Sequence, residues 1–383
     1  MPVSFDLSSE QLALQKRVRE FAREEILPRA AEIDEKDEFP EDLLKKLYTP
    51  PTQFIPAAIP KAYGGPGMGK MEFCIVMEEL AYASAACSTL VELLALASGP
   101  IILAAGEELK RKYLPRIATG EILPAINMTE PEAGSDAAGI TTTATREGDD
   151  YVLNGMKRYI SYADRAHVFS TSVKTDPSRG SKGISLILVE KGAAGFTTET
   201  PIRCMGLRGH KAYYMKFENC RVPRANLVGE EGRGLSYLMK TLDGTRLTLG
   251  AGYVGLARAA FDLGIQFTKE RKTFGRPLME NQAISFPMAE LAAEIEASRL
   301  LTYKAAWMDD QGLPHTKETS IAKFYAADMV VKVTGSVVSF MGGWGCTDEY
   351  PAERYYRDAK TWIFAQGTPL IQRLIVSREI YKD

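Results

Sequence analysis

The sequence predicts an α+β protein in three consecutive parts: an N-terminal helical domain, a central antiparallel β domain and a C-terminal four-helix bundle. Three observations carry this reading. Apolar residues recur at helical spacing through residues 1–121. Over 122–232 they fall instead into short runs rich in β-branched and aromatic residues, separated by turn residues. Over 233–383 long helical segments return, joined by short links, as bundles require. A chain of 383 residues has room for three such domains and a full core.

In chain order, Ser8-Ser9-Glu10-Gln11 reads as a capping box that opens a helix, with apolar positions at Leu12, Leu14, Val18 and Phe21. Pro50, Pro51 and the stretch from Pro56 to Pro60 interrupt the pattern, and Tyr63-Gly64-Gly65-Pro66-Gly67 is a turn cluster. Two apolar helices are predicted over 71–83 and 89–105. In the central part, strands are predicted at 151–153, 158–161, 167–173, 184–189 and 213–217, with Asn154-Gly155 and Asp176-Pro177 as turns between them. Helices then follow at about 235–270, 281–311, 317–341 and 369–382.

Charge narrows the function classes. Lys and Arg number 47 against 49 Asp and Glu, for a net charge of −2. A phosphate-binding surface usually leaves a basic excess, so nucleic acid is not an expected partner. The cysteines at 74, 87, 204, 220 and 346 form no CxxC pair, and the three histidines have no metal-ligand spacing. Reduced thiols and no metal are expected. The first residues lack the basic and apolar regions of a secretory signal. The apolar stretch 90–105 is short for a membrane span and contains Glu92, Gly99 and Pro100. A cytoplasmic protein without a membrane partner is expected.

Five motifs carry chemistry. Thr129-Glu130-Pro131-Glu132-Ala133-Gly134-Ser135-Asp136 is a turn that offers backbone N–H groups and hydroxyls to a polar ligand. Lys157-Arg158-Tyr159-Ile160-Ser161 is a strand with one aromatic. In Glu270-Arg271-Lys272-Thr273-Phe274-Gly275-Arg276-Pro277 a fixed cation stands beside a Gly/Pro turn, as a pyrophosphate clamp needs. Gly342-Gly343-Trp344-Gly345 permits close backbone approach. The fifth motif is Ile363-Phe364-Ala365-Gln366-Gly367-Thr368-Pro369-Leu370-Ile371-Gln372-Arg373. In this order the motifs resemble those of the acyl-CoA dehydrogenases across nearly the whole chain.

That resemblance implies FAD as cofactor, an acyl-CoA substrate, an electron-transferring flavoprotein as acceptor and a homo-oligomer, typically a tetramer. It assigns Met128, Thr129, Tyr159, Ser161 and Thr368 to the flavin, and Ser135 to flavin and substrate together. Arg271, Thr273, Phe274 and Gln282 would reach the FAD of a neighbouring subunit, with Gly342 and Gly343 at its adenine arm. Ser339 stands where the family has a Gln. Asp243, Thr245 and Arg246 lie on a helix segment near the CoA and acyl chain.

One position departs from the pattern. The family's proton-abstracting Glu is Gln366 here, and a carboxamide takes up no proton at working pH. The alternative site for that Glu is Thr245. A carboxylate does stand in an unexpected place: Glu92 lies in Thr89-Leu90-Val91-Glu92-Leu93-Leu94-Ala95, apolar or small on all sides. Burial there is costly or raises the pKa. Glu92 is therefore a displaced general base, the partner of an Arg or Lys, or a residue that fills the pocket bottom as in some ordinary members of the family. As a base it resembles an alicyclic subgroup that removes a proton from C3 and a hydride from C6 of cyclohex-1-ene-1-carboxyl-CoA. Three other readings stand beside it: an ordinary α,β-dehydrogenase with Glu changed to Gln, a redox-neutral lyase or desulfinase, and a catalytically silent acyl-CoA-binding flavoprotein. A desulfinase calls for an Arg near the pocket floor, and none occurs from Ala81 to Pro100.

Overall fold

The computed structural model describes residues 6–49, 54, 55 and 57–382. The prolines predicted to break the pattern at 50, 51 and 56 lie outside the described residues, as do residues 1–5. The helical N-terminal part comprises α1 (Ser9–Phe21), α2 (Ala30–Lys36), α3 (Glu41–Tyr48), α4 (Lys70–Ala83), α5 (Ala85–Ala104) and α6 (Glu107–Ala118). The capping box forms as predicted. Ser8 Oγ accepts from Gln11 N at 3.2 Å, and Gln11 Oε1 accepts from Ser8 N at 3.0 Å. Leu14, Val18 and Phe21 are buried, whereas Leu12 is 53% exposed because it falls on the other face of α1.

Seven strands make the central sheet: β1 (Pro124–Asn127), β2 (Thr143–Glu147), β3 (Asp150–Ser161), β4 (Val168–Lys174), β5 (Ile184–Glu190), β6 (Phe196–Ile202) and β7 (Ala212–Pro223). Their order is β1-β4-β2-β3-β7-β6, with β5 paired to β4. The predicted antiparallel sheet is in fact mixed, because β1 runs parallel to β4 and β2 meets β4 in parallel at Thr143. Parallel neighbours need a crossover connection, and here the β2–β3 hairpin lies between β1 and β4 in sequence. Asn154-Gly155 is a bulge within β3, not a turn. The Asn154 side chain bonds Asn219 across the bulge, and the chain reverses at Gly148 instead, at φ +61. Strands β2 and β6 escaped prediction because most of their residues are exposed and polar.

The C-terminal part contains α7 (Gly234–Glu270), a short ribbon of β8 (Lys272–Thr273) and β9 (Arg276–Pro277), α8 (Gln282–Asp310), α9 (Thr316–Met341), α10 (Ala352–Trp362) and α11 (Pro369–Ile380). The four predicted helices match α7, α8, α9 and α11 within two residues. The additional helix, α10, is charge-rich and buries only Ala352, Tyr355, Asp358, Ala359 and Trp362.

Helix α7 is the spine of the molecule, and its glycines admit the neighbours. A Cβ on Gly252 would sit 2.4 Å from Trp362, and one on Gly255 would sit 2.1 Å from the Glu78 carbonyl oxygen of α4. Tyr253 packs edge-on against Trp362 at 5.2 Å, and its hydroxyl donates to the Trp362 carbonyl at 3.0 Å. This ties the end of α10 to α7. Helix α5 is long and apolar enough to span a membrane, but 78% of that window is buried inside the protein. Overpacking a core contact typically costs about 1–3 kcal/mol. Gly255→Ala, which meets backbone rather than a movable side chain, is expected to lower the thermal unfolding midpoint by several degrees. An unchanged midpoint in differential scanning calorimetry would show that α4 and α7 are not locked there.

Candidate active site

The loop between α10 and α11 carries Gln366. Gln366 and Gly367 both have positive φ, +54° and +99°. A non-glycine residue in the left-handed region costs on the order of 1 kcal/mol, so the surroundings must hold it there. They do so through the loop's carbonyl oxygens. Arg246 Nε donates to Gln366 O at 3.0 Å, and Gln372 Nε2 reaches the same oxygen at 3.5 Å. Lys323 Nζ donates to Ile363 O at 2.9 Å and also to Gly367 O. Thr368 caps α11 by accepting from Ile371 N at 3.3 Å.

With the backbone held, the Gln366 side chain bridges the two other positions in question. Thr245 Oγ1 donates to Gln366 Oε1 at 2.7 Å, and Gln366 Nε2 donates to Glu92 Oε1. Three residues from α5, α7 and the loop, far apart in sequence, thus form one chain of hydrogen bonds. Glu92 is 1% exposed, and burial raises its pKa to about 8. The alternative of an Arg or Lys partner is not met among the described residues; an amide takes that place.

The other buried carboxylates of α4 show what ordinary pairing looks like. Glu78 is bonded by Arg258 at 2.8 Å, by Arg299 at 3.1 Å and by the Tyr303 hydroxyl at 2.9 Å. Burial pushes Glu79 up, but Arg19 and Arg258 more than offset it, and its pKa is lowered. Glu92 has no such cation, which is what leaves its proton affinity high.

Asp243 and Arg246 meet each other at 2.9 Å, and Asp243 also accepts from Thr316. Arg246 therefore does supply a guanidinium beside the loop, although from α7 rather than from the pocket helix. Lys323 was missed in the sequence. It sits on the buried face of α9 with Thr319, Ala326, Ala327 and Val330. Burial, with Arg246 nearby, lowers it to about 7. The test applied to Glu92, a charge amid apolar helical neighbours, would have found it.

The residues expected at the flavin fall into two groups. Met128 and Thr129 are tied to β3: Arg158 N donates to Thr129 O at 2.8 Å, and Lys157 Nζ reaches Met128 O at 3.5 Å. Behind them Lys157 and Glu130 form a buried ion pair at 2.7 Å. Burial opposes ionisation of Glu130, but Lys157 and the Thr141–Thr142 donors hold its pKa down at about 2. Tyr159 is half exposed at φ +62, and Ser161 Oγ lies 3.0 Å from His210 Nε2. Ser135 is exposed just beyond the Glu130–Ala133 turn.

The second group surrounds a cavity of about 470 Å³ lined by Arg271, Thr273, Phe340, Gly342, Gly343 and Trp344. A Cβ on Gly342 or Gly343 would meet nothing within 4 Å, so their backbone is open to a ligand. A guanidinium facing bare backbone suits a pyrophosphate, and the residues fit FAD. Phe274 is fully exposed at φ +51, and Gln282 is exposed at the start of α8. Ser339 donates back to Gly335 O at 3.0 Å and does not line the cavity.

Comparisons with known proteins identify the family. Models of the acyl-CoA dehydrogenase N-terminal, middle and C-terminal domains match residues 8–121, 125–220 and 232–381. An acyl-CoA dehydrogenase of Bacillus subtilis (strain 168) is 39% identical over 373 residues, spanning 97% of this chain and 98% of its own. The butyryl-CoA dehydrogenase of Megasphaera elsdenii superposes with a TM-score of 0.95 at 33% identity, over 99% of this chain and 100% of that one. A chain from the structure of the electron transferring flavoprotein of Acidaminococcus fermentans superposes at 0.96 with 35% identity, over all of both chains. The chain belongs to the acyl-CoA dehydrogenase family, FAD-dependent oxidoreductases that act on the CH–CH groups of acyl-CoA thioesters.

Proposed function

We propose that this acyl-CoA dehydrogenase uses Glu92 as its general base and acts on a cyclic enoyl-CoA such as cyclohex-1-ene-1-carboxyl-CoA, by 1,4-elimination. The observation that carries this is the contact between Gln366 and Glu92. In the family pattern the side chain at 366 takes the proton next to the thioester carbonyl. A carboxamide there cannot, and a buried carboxylate lies one hydrogen bond further on. In a conjugated enoyl thioester C3 is the vinylogous position, so its C–H is acidified through the C1=C2 double bond. A base set back from the α-carbon suits that atom.

The electron bookkeeping closes. Glu92 takes the proton from C3, and the C3–H electron pair forms C2=C3. The former C1=C2 pair becomes C1=C6, and hydride departs from C6, giving a cyclohexa-1,5-diene-1-carboxyl-CoA. FAD supplies the hydride acceptor. Met128, Thr129, Tyr159 and Ser161 would hold its ring system, with Ser135 between ring and substrate. Arg271, Thr273, Phe274 and Gln282 of one subunit, with Gly342 and Gly343, would hold the arm of FAD in a neighbour. Thr368 would contact the flavin from the loop, and Asp243 and Arg246 would bound the substrate side. The exposure of Phe274 favours a homo-oligomer, a tetramer by the family pattern. An electron-transferring flavoprotein is the proposed acceptor, supported by the solved neighbour from such a system. Free cysteines at 74, 87, 204, 220 and 346 accord with a cytoplasmic setting.

Glu92→Gln is expected to cut turnover of cyclohex-1-ene-1-carboxyl-CoA by about 10²–10⁴-fold, the usual worth of a general base, with FAD retained. Stopped-flow bleaching of the flavin checks this, and bleaching at the wild-type rate would overturn the assignment. A second prediction follows from the pKa. The base must be ionised, and burial raises Glu92 to about 8. The active fraction therefore grows as pH rises through that value, so kcat/KM should climb from pH 6 to 8 and level off above 9. An ordinary carboxylate, titrating at about 4.3, would give a flat profile over the same range.

A further inference from the structure

The structure assigns Gln366 a role of its own: it is a positioning residue whose carboxamide, held in one polarity by Thr245, stabilises and orients the carboxylate of Glu92. This rests on the reading of Glu92 as the base, and it explains why the side chain at 366 is an amide.

A primary amide has two chemically different ends. The Thr245 hydroxyl lies 2.7 Å from Gln366 Oε1, closer than to the α7 carbonyl oxygens of Thr241 and Leu242 at 3.2 and 3.4 Å. Its proton therefore goes to Oε1, and the NH2 end is left facing Glu92. An ionised carboxylate accepts hydrogen bonds and gives none, so this is the one polarity that serves it. Glutamate at 366 would instead bring a second carboxylate against the first, and like charges at that range drive one proton affinity up. Read this way, the change at 366 and the carboxylate at 92 are one exchange.

The backbone that carries the amide is held as well. Arg246 and Gln372 hold the main-chain carbonyl of Gln366, and Lys323 holds those of Ile363 and Gly367. The two cations among them, Arg246 and Lys323, bond backbone oxygens of the loop, and neither bonds Glu92. Among the described residues, the titratable groups that feel the charge of Glu92 are Tyr253 on α7 and Tyr162 just after β3. Both are fully buried, and burial pushes their hydroxyl pKa values well up, so neither ionises near neutrality. The donor that favours an ionised Glu92 is therefore the Gln366 amide.

The experiment is an infrared pH titration of the FAD-loaded, substrate-free enzyme, following the protonated-carboxyl band that Glu92→Gln removes. Flavin absorbance verifies that each variant is folded and loaded. Gln366→Leu, which deletes the amide, should raise the Glu92 midpoint by about one pH unit or more, a tenfold change in its ionisation constant. Thr245→Val, isosteric and gentler, should move it the same way by less, because the amide then loses the donor that fixes its polarity. A midpoint unmoved in both variants would overturn the proposal. Turnover by Glu92→Gln keeps the two readings separate. If that variant still turns over while the midpoint shifts, only the base assignment fails. If turnover is lost and the midpoint does not move, only the role of Gln366 fails.

Discussion

A carboxylate enclosed by an apolar helix and met by an amide instead of a cation is the constraint around which the site is organised. Glu92 lies in the part of α5 that is buried on nearly every side. Isolated there, an ionised carboxylate is costly. A cation would lower that cost and also remove its basicity, as Arg19 and Arg258 do for Glu79. An amide is the intermediate solution: it satisfies a lone pair without adding charge, and leaves the group able to take a proton near neutral pH. The tension between stability and basicity is thus settled by one neutral donor.

That donor sits where it does because α7 gathers the surrounding elements. Its glycines let Trp362 and the backbone of α4 approach closely. Its Tyr253 fixes the last residue of α10, and about two helical turns earlier its Thr245 and Arg246 reach the loop that follows. From the other side Lys323 of α9 closes the loop carbonyls. The left-handed backbone at Gln366 is thereby over-determined, as strained residues at functional sites usually are. The buried Glu130–Lys157 pair does comparable work in the central domain. Lys157 of the pair reaches the Met128 carbonyl and so ties the turn that carries Met128 and Thr129 to β3.

Much of this was legible in the chain. Helical periodicity located α7, α8, α9 and α11 to within two residues, because long amphipathic helices carry their burial pattern in sequence. The burial of Glu92 was legible for the same reason. Elements with little apolar content were not: β2 and β6 expose most of their side chains, and α10 is largely charged. Asn154-Gly155 has turn chemistry, yet it became a bulge because Asn219 across the ladder supplied a partner for its side chain.

The sequence by itself determined the three-part architecture, the family, and the absence of a carboxylate at 366 and 245 together with its presence at 92. Those follow from residue identity and local period. Only the tertiary structure decided that these three positions are a single hydrogen-bonded chain, that the partner of Glu92 is an amide rather than an Arg or Lys, and that Lys323 stands behind the loop. Glu92 and Gln366 are separated by 274 positions, and no local pattern encodes a contact over that span. It is set by how α5, α7 and α9 pack, and packing is a property of the assembled core.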